Sequence, residues 1–438
     1  MLRALGLRDV VLFNIAAVVS IRWLTTAARI GPGSLSLWAA AALLFFVPLA
    51  LVVARMNDLY PREGGIYAWT GIAFGEWHGF LCGWCYWLSN LFYFPNLLLA
   101  GIGMAFYTFG SQYAGLAENR VIMTTACLAV LWIALGTNLV GLQTGKWTQN
   151  FGAAATCLAG AAVITAGITA LVQGRGATPM TSIAPEWNWS TLNYWSQIAF
   201  AFGGLELGAI MSGEIRHSQR TVRRAAWISA GLIASFYILG TLSMLALITP
   251  AKVNIVTGVA QAVNAAGAGP LAALIALGIM GQFGAWIGGS ARLAFAIGID
   301  RYLPASFGKL HPRWQTPHVA LLSQGIATTA FVIFLETGET LRTAYQLLVD
   351  MTVISYFIPF LYLFATGWKH GQRWGPVAGS FVTLVGLACS FVPPEDVRSV
   401  AWFEAKLIAS LVVLIGSAWL VYQRSAGVKL SVAADTPR

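Results

Sequence analysis

IAFAFGGLELGAIMSGEIRHSQRTVRRA, residues 198–225, decides how the rest of the chain is read. Up to Phe202 it is an apolar helix of membrane quality. Gly203-Gly204 interrupts it, Glu206 follows in mid-span, and Arg216, Arg220, Arg223 and Arg224 close it. A helix that breaks at membrane depth leaves backbone N–H and C=O groups unpaired. Lipid cannot satisfy them, so the break must face protein or a water-filled cavity. An ionisable residue beside such a break marks a functional site.

Outward from this stretch, the composition is that of a membrane protein. Charged residues are 10% and hydrophobic residues 58% of 438, where soluble domains carry roughly 25% charged residues. The chain divides into about twelve apolar segments, near 9–29, 36–56, 77–110, 120–141, 147–173, 192–213, 222–248, 269–298, 317–336, 341–367, 374–392 and 402–423. Each is long enough to cross ~30 Å of hydrocarbon. The third exceeds that need and is expected to tilt steeply or to extend beyond the bilayer. The first is no signal peptide: it contains Arg22, and no small-residue cleavage site follows it.

A net charge of +10 raises the possibility of a nucleic-acid partner, but its distribution argues against one. With the N-terminus cytoplasmic and sides alternating, eighteen of the 26 Lys and Arg residues fall inside and seven outside. Arg22 is left within the membrane. That bias is the positive-inside rule, and it predicts a multi-pass plasma-membrane protein with both termini cytoplasmic. Trp187 and Trp189 stand where an extracellular aromatic anchor belongs. Cys82, Cys85, Cys127, Cys157 and Cys389 all lie in apolar segments. Cys82-Gly-Trp-Cys85 has redox spacing without the soluble fold that motif needs, so packing is expected and no disulfide. His217, His311 and His318 read as loop residues, and no spacing suggests a metal site or cofactor.

The connecting loops carry signatures. Tyr60-Pro-Arg-Glu-Gly-Gly-Ile-Tyr67 and Ala73-Phe-Gly-Glu-Trp77 lie between the second and third segments, where Pro61 and Gly64-Gly65 stop a helix and allow a tight return. Ser290-Ala-Arg-Leu-Ala-Phe295, Gly298-Ile-Asp-Arg-Tyr-Leu-Pro304, His311-Pro-Arg313 and Thr316-Pro-His318 follow the eighth segment. Together with Phe202-x-Gly-x-Glu206 and Gly213-Glu214-x5-Arg220-Thr221, these runs, in this order, resemble the amino acid–polyamine–organocation transporter superfamily over nearly the whole chain. The resemblance implies an all-α integral membrane fold of about twelve transmembrane helices. It would be a LeuT-like 5+5 inverted repeat (one about 9–173, the other about 192–367) with two peripheral helices (about 374–423). In such folds the first helix of each repeat is broken and the substrate lies between the breaks.

One departure from the family pattern is in the first segment. Many members have a Gly-Ser-Gly-like break whose amides hold the substrate carboxylate; this chain has Val19-Ser20-Ile21-Arg22-Trp23. Bacterial glutamate/GABA exchangers and plant polyamine carriers also lack that glycine pair. Polyamine carriers place a carboxylate near the position of Arg22. A fixed guanidinium disfavours a polycation and suits a carboxylate through its planar fork.

The resemblance also assigns the site residue by residue. Ser20, Ile21, Arg22 and Trp23 come from the first break, and Ser89, Asn90, Tyr93 and Phe94 from the third segment. Phe200 is the aromatic gate, Phe202, Gly203 and Gly204 form the second break, and Trp286 is the aromatic of the eighth segment. Asp350 lies in the tenth. Glu206 and Asp350 are the candidate coupling groups, since a buried carboxylate can exchange a proton each cycle. Plainer readings stand beside these. Phe200 and Trp286 also suit ordinary packing, Gly203-Gly204 suits close helix approach, and Glu206 suits a structural hydrogen bond. Arg22 and Asp350 can also pair with each other, and Arg216–Arg224 reads best as a solvated topogenic face.

The expected function is secondary active transport of neutral or acidic amino acids by alternating access, coupled to protons or running as exchange. The half-helix N-termini would face a carboxylate and the C-terminal carbonyls an ammonium. A polyamine or organocation carrier of the same fold is the alternative. A channel or transceptor-like sensor is the alternative of a different class, although no filter loop or output domain is visible. An enzyme is disfavoured, because intramembrane histidines or aspartate pairs are missing.

Overall fold

A computed structural model describes residues 5–265, 269–300, 302–335, 341–393 and 399–434. Of the topogenic cations counted above, Arg3, Arg301, Arg398 and Arg438 lie outside the described residues. The first apolar segment does not run through as one helix. α1 (Leu7–Val18) and α2 (Arg22–Ile30) are bent 49° apart around Val19-Ser20-Ile21. β-branched residues on both sides of a serine weaken the helix locally. The sixth segment is likewise split, into α8 (Trp189–Phe200) and α9 (Glu206–Ile210), with turns across residues 201–205.

Between them come α3 (Ser34–Leu59, with a wide π turn over Ala42–Phe46), the short α4 (Ile66–Phe74), α5 (Glu76–Phe106), α6 (Arg120–Leu139) and α7 (Leu142–Val172). After α9 follow α10 (Ser218–Leu247), the short α11 (Gly258–Ala265), α12 (Leu271–Ile299), α13 (His318–Leu335), α14 (Leu341–Lys369), α15 (Trp374–Cys389) and α16 (Val400–Ala434). Among the described residues, eight helices are long and apolar enough to cross a membrane, nine with α1/α2 taken as one bent span. The apolar parts of α13 and α15 are shorter. No strand occurs among these residues beyond an isolated bridge of Leu5 to Ile215. The short connecting helices α4 and α11 lie outside the twelve apolar segments.

α12 lies at the centre, packed mainly on α7 and α5, while α14 packs on α5 and α10 runs beside α1 and α7. Gly152 and Gly281 let the backbones of α7 and α12 touch: a Cβ on Gly281 would stand 2.4 Å from the Gly152 Cα. In a membrane, where apolar burial drives little association, such close small-residue contact is a main source of packing energy. α16 is peripheral, with only 17% of its apolar window buried. All five cysteines are free thiols, and Cys157 faces outward rather than into packing.

At one end of the bundle the two loop signatures meet. The Tyr67 hydroxyl donates to Asp300 at 2.5 Å, and Tyr302 donates to Glu76. Gly64 N–H donates to Ile210 O at the end of α9 (3.2 Å). Arg292 of α12 pairs with Glu214 at 2.6 Å, both side chains buried. Leu5 bonds through its backbone to Glu214 and Arg216, tying the start of α1 to the segment after α9. Glu63 is pressed against Gly213. Burial, and next its neighbour Glu214, pushes the Glu63 carboxyl above its ordinary range. Arg216, Arg220, Arg223 and Arg224 are exposed, and Arg223 meets Asp58 at 3.2 Å.

Candidate substrate site at the two helix breaks

Free backbone groups at both breaks are held by side chains, most of them from distant helices. The Trp286 Nε1–H of α12 donates to Ala17 O at 2.7 Å, and Gln282 Nε2 donates to the same oxygen at 3.0 Å. The Tyr237 hydroxyl of α10 stands 2.7 Å from Val18 O and 3.0 Å from Ala201 O, and it accepts the Ser20 N–H at 3.2 Å. One phenol therefore joins both breaks. Two of the carbonyls expected to receive an ammonium at the end of α1, Ala17 O and Val18 O, already have protein donors.

Gly204 has φ +117°, a conformation that favours glycine, and a Cβ there would crowd Trp286 and Ala17 O. Its N–H donates to Glu206 Oε2 at 3.2 Å. The other carboxylate oxygen receives the Tyr86 hydroxyl at 2.8 Å and the Tyr356 hydroxyl. Glu206 thus closes the second break and links α9 to α5 and α14. Its oxygens accept three donors in all.

Arg22 is fully buried. Its Nε donates to Ser20 Oγ at 3.1 Å, while Nη1 and Nη2 have no hydrogen-bond partner among the described residues. The guanidinium carbon lies 4.2 Å from the centroid of the Trp23 ring and 5.2 Å from that of Tyr93. The Tyr93 hydroxyl faces it without meeting hydrogen-bond geometry. Phe200 stands edge-on to Trp23 (5.7 Å) and Tyr93 (5.9 Å), and Trp286 packs on Tyr93 at 4.8 Å. A buried cation lacking a counter-charge costs several kcal/mol, of which cation–π contacts return roughly 2 kcal/mol each when desolvated.

Arg22, Trp23, Tyr93, Phe200 and Trp286 therefore come together, with Glu206 and the breaks behind them. The other expected residues stand apart. Ser89 and Asn90 bond back to their own helix at Tyr86 O, and Asn90 Oδ1 has no partner among the described residues. Phe94 packs on Phe283 at 5.0 Å, and Phe202 lies between Trp38 and Phe46. Ile21 is buried at the break. Asp350 meets Asn193 rather than Arg22, so the pairing of those two charges considered above does not occur. The structure adds Tyr237, Gln282, Tyr86 and Tyr356. Their one sequence signal is a polar tip in an apolar helix, which requires a partner but does not name it.

At the far ends of α2 and α8 lies a polar cavity of about 230 Å³ lined by Arg29, Asn188, Thr191 and Tyr194 among others. A sequence model described as amino acid permease matches residues 5–415. The chain belongs to the amino acid permease family. This places it in the amino acid–polyamine–organocation superfamily, as a multi-pass membrane transporter of small molecules rather than an enzyme. Among similar proteins is an uncharacterised transporter of Legionella pneumophila, 26% identical, covering 95% of this chain and 96% of its own. Uncharacterised transporters of Mycobacterium tuberculosis and Mycobacterium bovis are also 26% identical, over 75% of this chain and 73% of theirs.

Proposed function

We propose that this permease is a secondary active transporter that carries neutral or acidic amino acids across the plasma membrane by alternating access. In this reading it has twelve spans, α1/α2 to α7 mirrored by α8/α9 to α14, with α15 and α16 peripheral and both termini cytoplasmic. The observation that carries the reading is the buried Arg22, whose two terminal nitrogens are unpaired between the helix breaks. A substrate carboxylate supplies the missing acceptors through a bidentate bond. Phe200 and Trp286 close over the substrate, and the polar cavity at Arg29 is its outer approach. Coupling is to a proton or to a counter-substrate. A polyamine fits less well, because both oxygens of Glu206 already have donors and Asp350 lies away from the aromatic box.

The test is a thermal-shift screen of detergent-purified protein against amino acids and polyamines, followed by proteoliposome uptake of the hits. Only a ligand that binds the folded state raises its stability. Arg22→Gln removes the charge-assisted bond and is expected to raise KM by roughly tenfold to a hundredfold. Stabilisation by spermidine alone, or an unchanged KM in Arg22→Gln, would refute the assignment.

A further inference from the structure

Three carboxyl side chains are buried among the described residues, and they differ in what they receive. Glu206 accepts three donors, and Glu214 holds the Arg292 guanidinium. Glu214 Oε2 is also unpartnered among the described residues, but Asp350 has neither a bonded cation nor several donors. Its Oδ1 accepts one bond, from Asn193 Nδ2 of α8 at 3.3 Å, and its buried Oδ2 has no partner among the described residues.

The surroundings of Asp350 hold no described cation bonded to it. On its own helix, Gln346 lies one turn earlier with an unbonded Nε2, while Thr352 and Ser355 bond to backbone carbonyls of that helix. α8 contributes Asn193 and Gln197. After α15, the Val392 carbonyl takes a second bond from Asn193 (2.9 Å). α5 contributes Asn96, bonded to Tyr345 O, and Tyr93, which faces Arg22. α16 packs Phe403 and Leu407 beside Leu347 and Ile354, with Glu404 exposed. An ionised carboxylate offers about four acceptor sites, and burying one with a single long amide bond is costly. A neutral, protonated carboxyl avoids that cost.

Asn193 also connects Asp350 to the helix breaks. Its Oδ1 accepts from Gln197 Nε2 at 2.9 Å, and Gln197 Oε1 accepts from Thr26 Oγ1 at 3.4 Å. The chain of bonds runs from α14 through α8 to α2, the half-helix that begins with Arg22.

We propose that Asp350 is the proton-binding site of the transport cycle and that Glu206 is a structural clamp. The Asp350 Oδ2 takes a proton from water when α8 is parted from α14. The resulting neutral carboxyl permits α8 to seat through Asn193, closing the site over the substrate. The O–H bond breaks, and the proton passes to water on the opposite side, after that side opens. This deepens the proposed function and rests on it.

The test uses purified full-length protein in liposomes, with an amino acid that the wild type exchanges. Two measurements are made: exchange at equal pH on both sides, and accumulation under a gradient of one pH unit. One coupled proton drives about tenfold accumulation per pH unit. Asp350→Asn is expected to retain exchange and lose that accumulation, Asp350→Glu to keep it, and Glu206→Gln to change both measurements in parallel. If Asp350→Asn does not fold, Asp350→Ser carries the same expectation. Accumulation by Asp350→Asn equal to wild type overturns the proposal. So does wild-type exchange with no response to pH, which leaves the amino acid reading intact. Absence of any amino acid exchange by the wild type overturns that reading and this proposal with it.

Discussion

At the residue scale, the tightest constraint on the site comes from a side chain that touches no expected ligand. Tyr237 places one hydroxyl among Val18 O, Ala201 O and the Ser20 N–H. Unpaired groups of this kind, buried, cost roughly 1–3 kcal/mol each. Tyr237→Phe keeps the ring, which stacks on Trp38 at 4.3 Å, and removes only the hydroxyl. It is therefore expected to destabilise the protein by about 1–3 kcal/mol and to slow transport. Thermal unfolding in detergent and initial exchange rates measure the two effects. An unfolding midpoint unchanged from wild type would mean that the breaks are held without this phenol.

At the scale of elements, the break between α8 and α9 depends on backbone conformation more than on any contact. Gly204 at φ +117° has Trp286 Cζ2 at 3.2 Å and Ala17 O at 3.3 Å from the position of a Cβ. Gly204→Ala therefore meets strain and crowding together, and a strained backbone position of this kind costs of order 1–3 kcal/mol. Gly136, within α6, has nothing within 4 Å of its Cβ position. Gly136→Ala is expected to be neutral or to stabilise by up to about 1 kcal/mol, the helix-propensity difference. Equal unfolding midpoints for the two variants would contradict this account of the break. The sequence signal here was strong because the chemistry is local: two adjacent glycines in an apolar helix show where it can open. The partners of Glu206, Tyr86 and Tyr356, lie far away in the chain, and nothing local names them.

At the scale of the whole molecule, the contacts of Leu5, Glu63, Tyr67, Glu214, Arg292 and Asp300 close one end of the bundle. Glu63 carries a pH dependence whose sign follows from its environment. Its carboxyl is raised in the folded protein, by burial first and by Glu214 next. The folded state thus favours the protonated form, so this contribution is complete below the ordinary carboxylate range. It is lost as pH rises from that range through the raised folded value. Glu63→Gln mimics the protonated group, so it is expected to stabilise the protein at neutral pH and to flatten stability across the weakly acidic range. Unfolding midpoints measured from acid to neutral pH provide the check. A variant whose midpoints parallel wild type across the range would rule Glu63 out as the source.

Taken by itself, the sequence determined the membrane class, the apolar segments, the opening near Gly203-Gly204 and the presence of a cation at Arg22. These follow from hydropathy, glycine freedom and charge, which are properties of neighbouring residues. It also showed the loop signatures around Tyr67 and Arg292, but not that they bond to each other. Tertiary structure decided which of the candidate residues share a space: Tyr93 beside Arg22, Phe94 and Phe202 elsewhere, Asp350 against Asn193. It also showed that, among the described residues, Glu206 has its donors, while the Arg22 Nη atoms lack acceptors and Asp350 Oδ2 lacks a donor. Whether a buried polar group is satisfied depends on helices hundreds of residues apart in sequence, and only the packed bundle brings them within hydrogen-bond reach.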